Sequence, residues 1–342
     1  MLDLDDNLQT IAILNDDPIT QTMMPVSLIV TVKDEGEAIR PLLDSLIQQT
    51  RLPDEVVICD GGSKDNTLEI IAEYKRWLPL QLLVAPGVNI SQGRNLAINA
   101  AAGPIIAATD AGVVLSPCWL EEIVQPIEMG QTAVTAGWFE ADPYTDFEVV
   151  MGATVLPTRQ DIDPETFLPS SRSVAFLKNA WSYVGGYPEW LDYSEDLMFD
   201  FALREKYGAF VFVDTAVAYF RPRSSLTAFF KQYYNYSRGD GKANLWLLRH
   251  LVRYATYLIA LPFILRLIWR EKALGWVLFF VGTGAYCRRP AERLWENTWG
   301  WRPPSRLRAL ALIPIIRLVG DVAKMLGYPV GVWWRWQRRQ KP

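Results

Sequence analysis

EVVICDGGSKDNT, residues 55–67, passes from a short apolar run into paired glycines and then into a helix start. Glu55–Cys59 has the length and composition of a buried strand, and Asp60-Gly61-Gly62-Ser63 those of a turn. Asp65 or Asn66 then caps a helix that runs to about Arg76. The same unit recurs on either side. Val26–Val32 (VSLIVTV) reads as a strand, and Glu37–Gln49 as a helix that tolerates Pro41 in its first turn. Gln81–Val84 is a third strand, Gln92–Ala101 a helix, and Pro104–Thr109 (PIIAAT) a fourth strand. Strands alternating with helices predict an α/β fold with a mostly parallel central sheet from about residue 25 to 220.

In an open parallel sheet, ligands bind at the carboxyl ends of the strands. Asp34-Glu35, Asp60 and Asp110 fall at three such ends, which suits a metal-bridged ligand or hydrogen bonds to a base and ribose. Acidic residues there also form turns and cap helices, so both readings stand. The DGGSKDNT turn lacks the spacing of GxxxxGK[ST] or GxGxxG. Ser194-Glu195-Asp196 precedes an apolar helix; the two acids either cap it or supply a general base at a loop–helix junction.

Composition narrows the chemistry. Of 342 residues, three are cysteine (Cys59, Cys118, Cys287) and one is histidine (His250), which excludes a disulfide framework, a cysteine zinc site and a two-histidine metal site. Chemistry here must run on carboxylates. The net charge of −4 conceals a split: residues 1–220 hold 12 Lys and Arg against 33 Asp and Glu, and residues 221–342 hold 22 against 5. Nine of the fourteen tryptophans also follow residue 220. Within that basic part, Tyr254–Leu265 and Ala273–Cys287 are uncharged, and Arg308–Trp336 is apolar but interrupted by charges. None reaches the ~20 apolar residues of a spanning helix without admitting a charge, and the first would span only if Arg266 snorkelled. A hairpin dipping into the bilayer and helices lying in the interface both fit, as does a soluble helical subdomain. The Arg and Trp flanks favour membrane lipids. Nucleic acid is not expected, because the basic residues are interleaved with aliphatic runs. The first 25 residues lack the basic and apolar regions of a secretory signal.

Taken together, these stretches resemble glycosyltransferase family 2, the inverting sugar transferases with the GT-A nucleotide-sugar-binding fold. Val26–Glu35 resembles its opening strand, VVICDGGSKDNT its second strand and turn, and GRNLAI (Gly93–Ile98) its nucleotide-facing helix. ATDAGVVLSPCWL (Ala108–Leu120) stands at its metal motif, and GGYPEWLDYSEDL (Gly185–Leu197) at its acceptor and base region. RGDGKANL (Arg238–Leu245) followed by apolar basic segments resembles membrane-associated bacterial members that build extracellular polysaccharides on lipid carriers.

The resemblance implies a transfer from a nucleoside-diphosphate sugar, UDP- or GDP-linked, to a hydroxyl acceptor such as a lipid-linked glycan at the cytoplasmic face of the membrane. It implies that Thr31, Glu35 and Asp60 contact the nucleoside and Arg94 the nucleotide. Asp110 would bind the Mn²⁺ or Mg²⁺ that bridges the diphosphate, and Arg238 would pair with the diphosphate. Asp196 would be the base, with Glu195 beside it for the acceptor. Two departures stand out: Asp60-Gly61 replaces a pair of acids, and Asp110-Ala111-Gly112 replaces Asp-x-Asp. The second leaves a non-catalytic partner of another transferase as the alternative. The expected organisation is an N-terminal extension (1–24), a catalytic domain (25–245) and a basic, Trp-rich membrane-associated helical region (246–342).

Overall fold

The structure, a computed structural model, describes residues 23–339. Apart from Met23 and Met24, the expected N-terminal extension lies outside the described residues. The chain opens as strand–helix units: β1 (Val26–Val32), α1 (Arg40–Ile47), β2 (Glu55–Asp60), α2 (Thr67–Glu73), β3 (Leu80–Val84), α3 (Ile90–Ala100) and β4 (Ile105–Asp110). These are the elements expected from the sequence. The helix starting near Glu37 begins as a 3-10 turn over Gly36–Ile39, and the one after Asn66 ends in another over Tyr74–Arg76. Asp65 caps α2, accepting the Thr67 N–H at 3.1 Å.

β5 (Val113–Leu115), α4 (Trp119–Glu128), β6 (Val134–Ala141), α5 (Asp146–Val155), β7 (Val174–Leu177), α6 (Lys178–Val184), α7 (Glu195–Tyr207) and β8 (Val211–Phe220) follow. They extend the sheet to the order β3-β2-β1-β4-β7-β6-β8-β5. The pairings from β3 to β4 and that of β6 with β8 are parallel; β7 runs antiparallel to both its neighbours, as β5 does to β8. This mixed α/β sheet, parallel through its first four strands, is the architecture expected from the sequence.

The period of two in β1 sorts its side chains between two cores. Val26, Leu28, Val30 and Val32 pack with Leu42, Leu43 and Leu46 of α1, Ile70 of α2 and Ile123 of α4. Ile29 joins Val57 and Cys59 of β2 and Ala97 and Ile98 of α3 on the other face. Thr31, two residues on, shares the α3 face. The register sets Thr31 level with Cys59 on one side and Asp110 on the other, and Val32 level with Asp60. One rim therefore collects the acidic strand ends.

After β8 come α8 (Leu226–Ala243) and α9 (Leu247–Ala255), which passes through a π-turn at Thr256–Ala260 into α10 (Leu261–Trp269). α11 (Ala273–Asn297) folds back on α10, and α12 (Pro303–Arg339) packs along α8. Val150 and Met151 of α5, Phe229 of α8, Leu294 of α11 and Ile313 and Ile316 of α12 form a third core. The C-terminal helices are thus packed onto the α/β layer. Leu247–Trp269 is continuous over 23 residues, longer than the uncharged run visible in the sequence. Among the described residues it is the one helix long and apolar enough to cross a membrane. Its apolar side chains are uncovered: Leu248 is 74% exposed, Ile259 70% and Trp269 84%.

Candidate active site

A cleft of about 1320 Å³ opens over the carboxyl ends of β1, β2 and β4. Seven of the eight residues singled out from the sequence line it: Thr31, Glu35, Arg94, Asp110, Glu195, Asp196 and Arg238. Asp60 does not. Its carboxylate is fully buried and accepts the N–H groups of Gly62 at 2.9 Å and Ser63 at 3.0 Å, together with the Ser63 hydroxyl. Here the turn-forming role weighed for an acid after a strand is the one observed.

Arg94 is the hub of the cleft. Asn89 and Gln92 form a reciprocal cap that fixes the start of α3, and Arg94 follows in its second turn. The buried guanidinium donates from Nη1 to Glu195 Oε1 at 2.6 Å and from Nη2 to Asp110 Oδ1 at 3.0 Å. Burial alone would lower its pKa, but Glu195 and then Asp110 hold it above the ordinary arginine value. The two-donor fork of arginine suits this bridging, which a lysine point charge would not reproduce. Arg94 thus joins Asp110, 16 residues on, to Glu195, 101 residues on, a role beyond the nucleotide contact expected of it.

Glu195 and Asp196 open α7 behind Ser194, whose φ of +62° is left-handed. The Ser194 hydroxyl donates to Asp240 Oδ1 of α8 at 3.1 Å, fixing the loop. Gly239 makes this approach possible: a Cβ there would stand 2.5 Å from the Tyr193 carbonyl oxygen and 2.7 Å from Ser194 Oγ. Glu195 is committed to Arg94. Asp196 receives only its neighbour's N–H, from Leu197 to Oδ1 at 2.8 Å, among the described residues. Burial raises the pKa of both carboxyls, with Asp196 adding to the effect on Glu195. One turn on, Asp200 is buried with Oδ2 unbonded among the described residues, and burial followed by the charge of Asp196 drives its pKa well up. Burial, then Asp110 and Asp65, also raises Glu35.

Arg238 is held at 2.6 Å by Asp192, which also pairs with Lys242. Sequence reasoning did not single out Asp192, nor Arg172 and Arg223, which line the same cleft. Arg172 lies in the segment 156–173 between α5 and β7, irregular but for a 3-10 turn at Arg159–Asp161, where no periodicity or motif marks a residue. The Asp-rich WLDYSED stretch was a signal for Asp192.

Asp110 alone does not make a cation site. Its Oδ1 is taken by Arg94, its Oδ2 faces Arg172 Nε at 3.5 Å, and Gly112 offers no second carboxylate. Among the described residues, no group of three acidic, histidine or cysteine side chains is placed to hold a metal. The residues present therefore do not fit Mn²⁺ or Mg²⁺ unaided.

Residues 27–173 match the family model of Glycosyl transferase family 2. The glycosyltransferase EpsJ of Bacillus subtilis (strain 168) is 25% identical over 187 residues, 53% of this chain and 53% of that protein. The chain spans about a third to a half of the length of the curated relatives it matches. A mannosyltransferase from Pyrobaculum calidifontis, PcManGT, in complex with GDP-Man and Mn²⁺, superposes with a TM-score of 0.54 at 15% identity, over 94% of this chain and 89% of that one. S. aureus TarS 1-349 in complex with UDP-GlcNAc gives 0.51 at 18%, over 92% of each. At these identities the two structures establish the shared fold.

Proposed function

We propose, from the match of residues 27–173 to the Glycosyl transferase family 2 model, that this chain transfers a sugar from a nucleoside-diphosphate donor to a hydroxyl acceptor, with inversion at the anomeric carbon. The observation that carries the reading is the Arg94 bracket. It sets the strand-end acid Asp110 and the helix-start acids Glu195 and Asp196 around one cleft. In the transfer, the acceptor oxygen attacks the anomeric carbon as the bond to the diphosphate breaks. Asp196 takes the hydroxyl proton, and the diphosphate leaves with the electron pair. Asp196 suits the task because Glu195 is already bound. A carboxyl whose pKa is raised by burial also holds a proton better than an exposed one, which favours its accepting one in the transition state. Thr31 and Glu35 line the nucleoside end. The donors bound by the two structural neighbours, UDP-GlcNAc and GDP-Man, support trying both nucleosides first. Asp110, held by Arg94 and facing Arg172, supplies no cation site for this step.

The layout of the C-terminal helices supports a lipid-linked acceptor at the cytoplasmic membrane face. Trp246, which caps α9, and Arg249 and Arg253 within it line the cleft, and the same helix continues into the uncovered apolar stretch to Trp269. Laid in a bilayer, the hairpin of α10 and α11 would hold the cleft mouth at the interface. Basic residues near an anionic surface would add about 1 kcal/mol each. We assign residues 25–245 to catalysis and 246–342 to membrane contact.

The test is incubation of detergent-solubilised protein with UDP- and GDP-sugars and polyprenyl-phosphate-linked acceptors, with the product's anomeric configuration read by NMR. A glycosylated acceptor of inverted configuration is expected. Nucleotide binding without turnover across the panel would favour the non-catalytic alternative.

A further inference from the structure

The arginines of the cleft do not all have carboxylates to spend their charge on. Arg94 is matched by Glu195 and Asp110, and Arg221 by the buried Glu148 at 2.8 Å. Arg172 has only Asp110, at 3.5 Å, whose other oxygen Arg94 already holds at 3.0 Å. Arg223 donates to Gln232 Oε1 at 3.2 Å and has no carboxylate within ion-pair distance among the described residues. The fold sets this surplus beside the missing acid. β5 and β8 pair antiparallel with Val113 opposite Phe220. Gly112, just before Val113, therefore lies by the chain that leaves β8 as Arg221-Pro222-Arg223. The Arg172 guanidinium sits 4.5 Å from the centre of the Phe220 ring, on the same corner. At the place where a second acid would help bind a cation, the chain offers glycine and arginines that outnumber the close carboxylates: Arg172 shares Asp110 with Arg94, and Arg223 acts on Glu35 without an ion pair to it among the described residues.

We propose that Arg172 and Arg223 bind the donor's diphosphate directly, doing in this chain the charge neutralisation that a protein-held divalent cation would otherwise supply. The inference rests on the donor reading above. Planar guanidinium groups bind phosphate oxygens through paired charge-assisted hydrogen bonds. When the anomeric C–O bond breaks, its electron pair goes to the terminal phosphate oxygen, and the two cations already face the charge that develops there. The single carboxylate Asp110 remains the anchor of Arg94 and Arg172, a positioning residue.

Gly112 permits a direct reversal. A Cβ there meets nothing within 4 Å and the backbone is not left-handed, so Gly112→Asp is accommodated. The experiment titrates UDP and GDP into the full chain by calorimetry, in EDTA and in Mn²⁺. It compares wild type, Arg223→Gln, Arg172→Gln and Gly112→Asp. Whichever nucleotide binds should bind wild type equally in EDTA and Mn²⁺, within about twofold. Arg223→Gln, an exposed change that leaves the core untouched, should weaken it about tenfold or more under both conditions. Gly112→Asp should bind at least about fivefold more tightly with Mn²⁺ than without.

Wild-type binding lost in EDTA and restored by Mn²⁺ would overturn the proposal. So would Arg172→Gln and Arg223→Gln proteins that both bind like wild type. Binding of neither nucleotide to wild type under any condition would remove the donor reading itself, and this inference with it.

Discussion

Gly239 of α8 stands against the Tyr193 carbonyl oxygen with no room for a side chain, since a Cβ would lie 2.5 Å from it. The contact joins the helix that carries the C-terminal region to the loop that carries Glu195 and Asp196. Gly241, two residues on, faces the other way, towards Tyr328 of α12. The RGDGKAN stretch is therefore a spacer: one glycine admits the Tyr193-Ser194 loop, the other the tail helix.

Gly239→Ala should force α8 and the loop apart, at a cost of about 1–3 kcal/mol for an overpacked contact. The protein should fold with a lowered Tm, while turnover falls by a larger factor than donor affinity. Thermal unfolding alongside steady-state kinetics checks this. Activity unchanged in a destabilised protein would separate the loop from catalysis.

Much of this arrangement was legible in the sequence. The apolar runs with turn residues between them gave β1, β2 and β4 nearly residue for residue, because strands buried on both faces leave a continuous signature. The rim acids followed from strand ends. What periodicity does not carry is where a side chain's charge is spent. Arg94 bridges residues 16 and 101 positions away, Asp60 turns into its own loop, and Arg172 lies in an irregular segment. The helix from Leu247 to Trp269 also exceeded the uncharged run, because Arg249, Arg253 and Arg266 belong to the same continuous helix.

Arg94→Ala should be costly twice over. It leaves Glu195 buried without a partner, a loss of about 3–5 kcal/mol for a broken buried pair, and it frees Asp110. Arg94→Lys should recover part of the stability and little of the activity, because an ammonium does not fork to both acids as a guanidinium does. Denaturant unfolding and activity of the two variants together test the bridging role.

The buried acids of α7 set a pH dependence. A carboxyl whose native pKa is raised holds its proton more tightly folded than unfolded. Its contribution is thus favourable at low pH and is lost as pH climbs from the unfolded value, about 3.9 for Asp, through the raised one. For one proton the slope is at most about 1.4 kcal/mol per pH unit. Asp200, raised by burial and then by Asp196, should contribute such a fall. Asp200→Asn should flatten it, which Tm measured across pH would show. The acid limb of kcat/KM should likewise lie above the ordinary aspartate range, because Asp196 is raised in the same way.

The hairpin makes a surface prediction. Ile259 and Phe263 are 70% and 58% exposed on the apolar helix. Ile259→Asp with Phe263→Asp should abolish co-sedimentation with anionic liposomes and leave nucleotide affinity unchanged. Equal sedimentation of variant and wild type would count against membrane contact through this helix.

Asp196 as the base is tested most simply by comparing wild type with Asp196→Asn, following nucleoside-diphosphate release in the presence of acceptor and nucleotide binding by calorimetry. Unchanged binding is expected, with turnover reduced by about 10²–10⁴-fold, the contribution of a positioned base. Turnover retained by Asp196→Asn would contradict it.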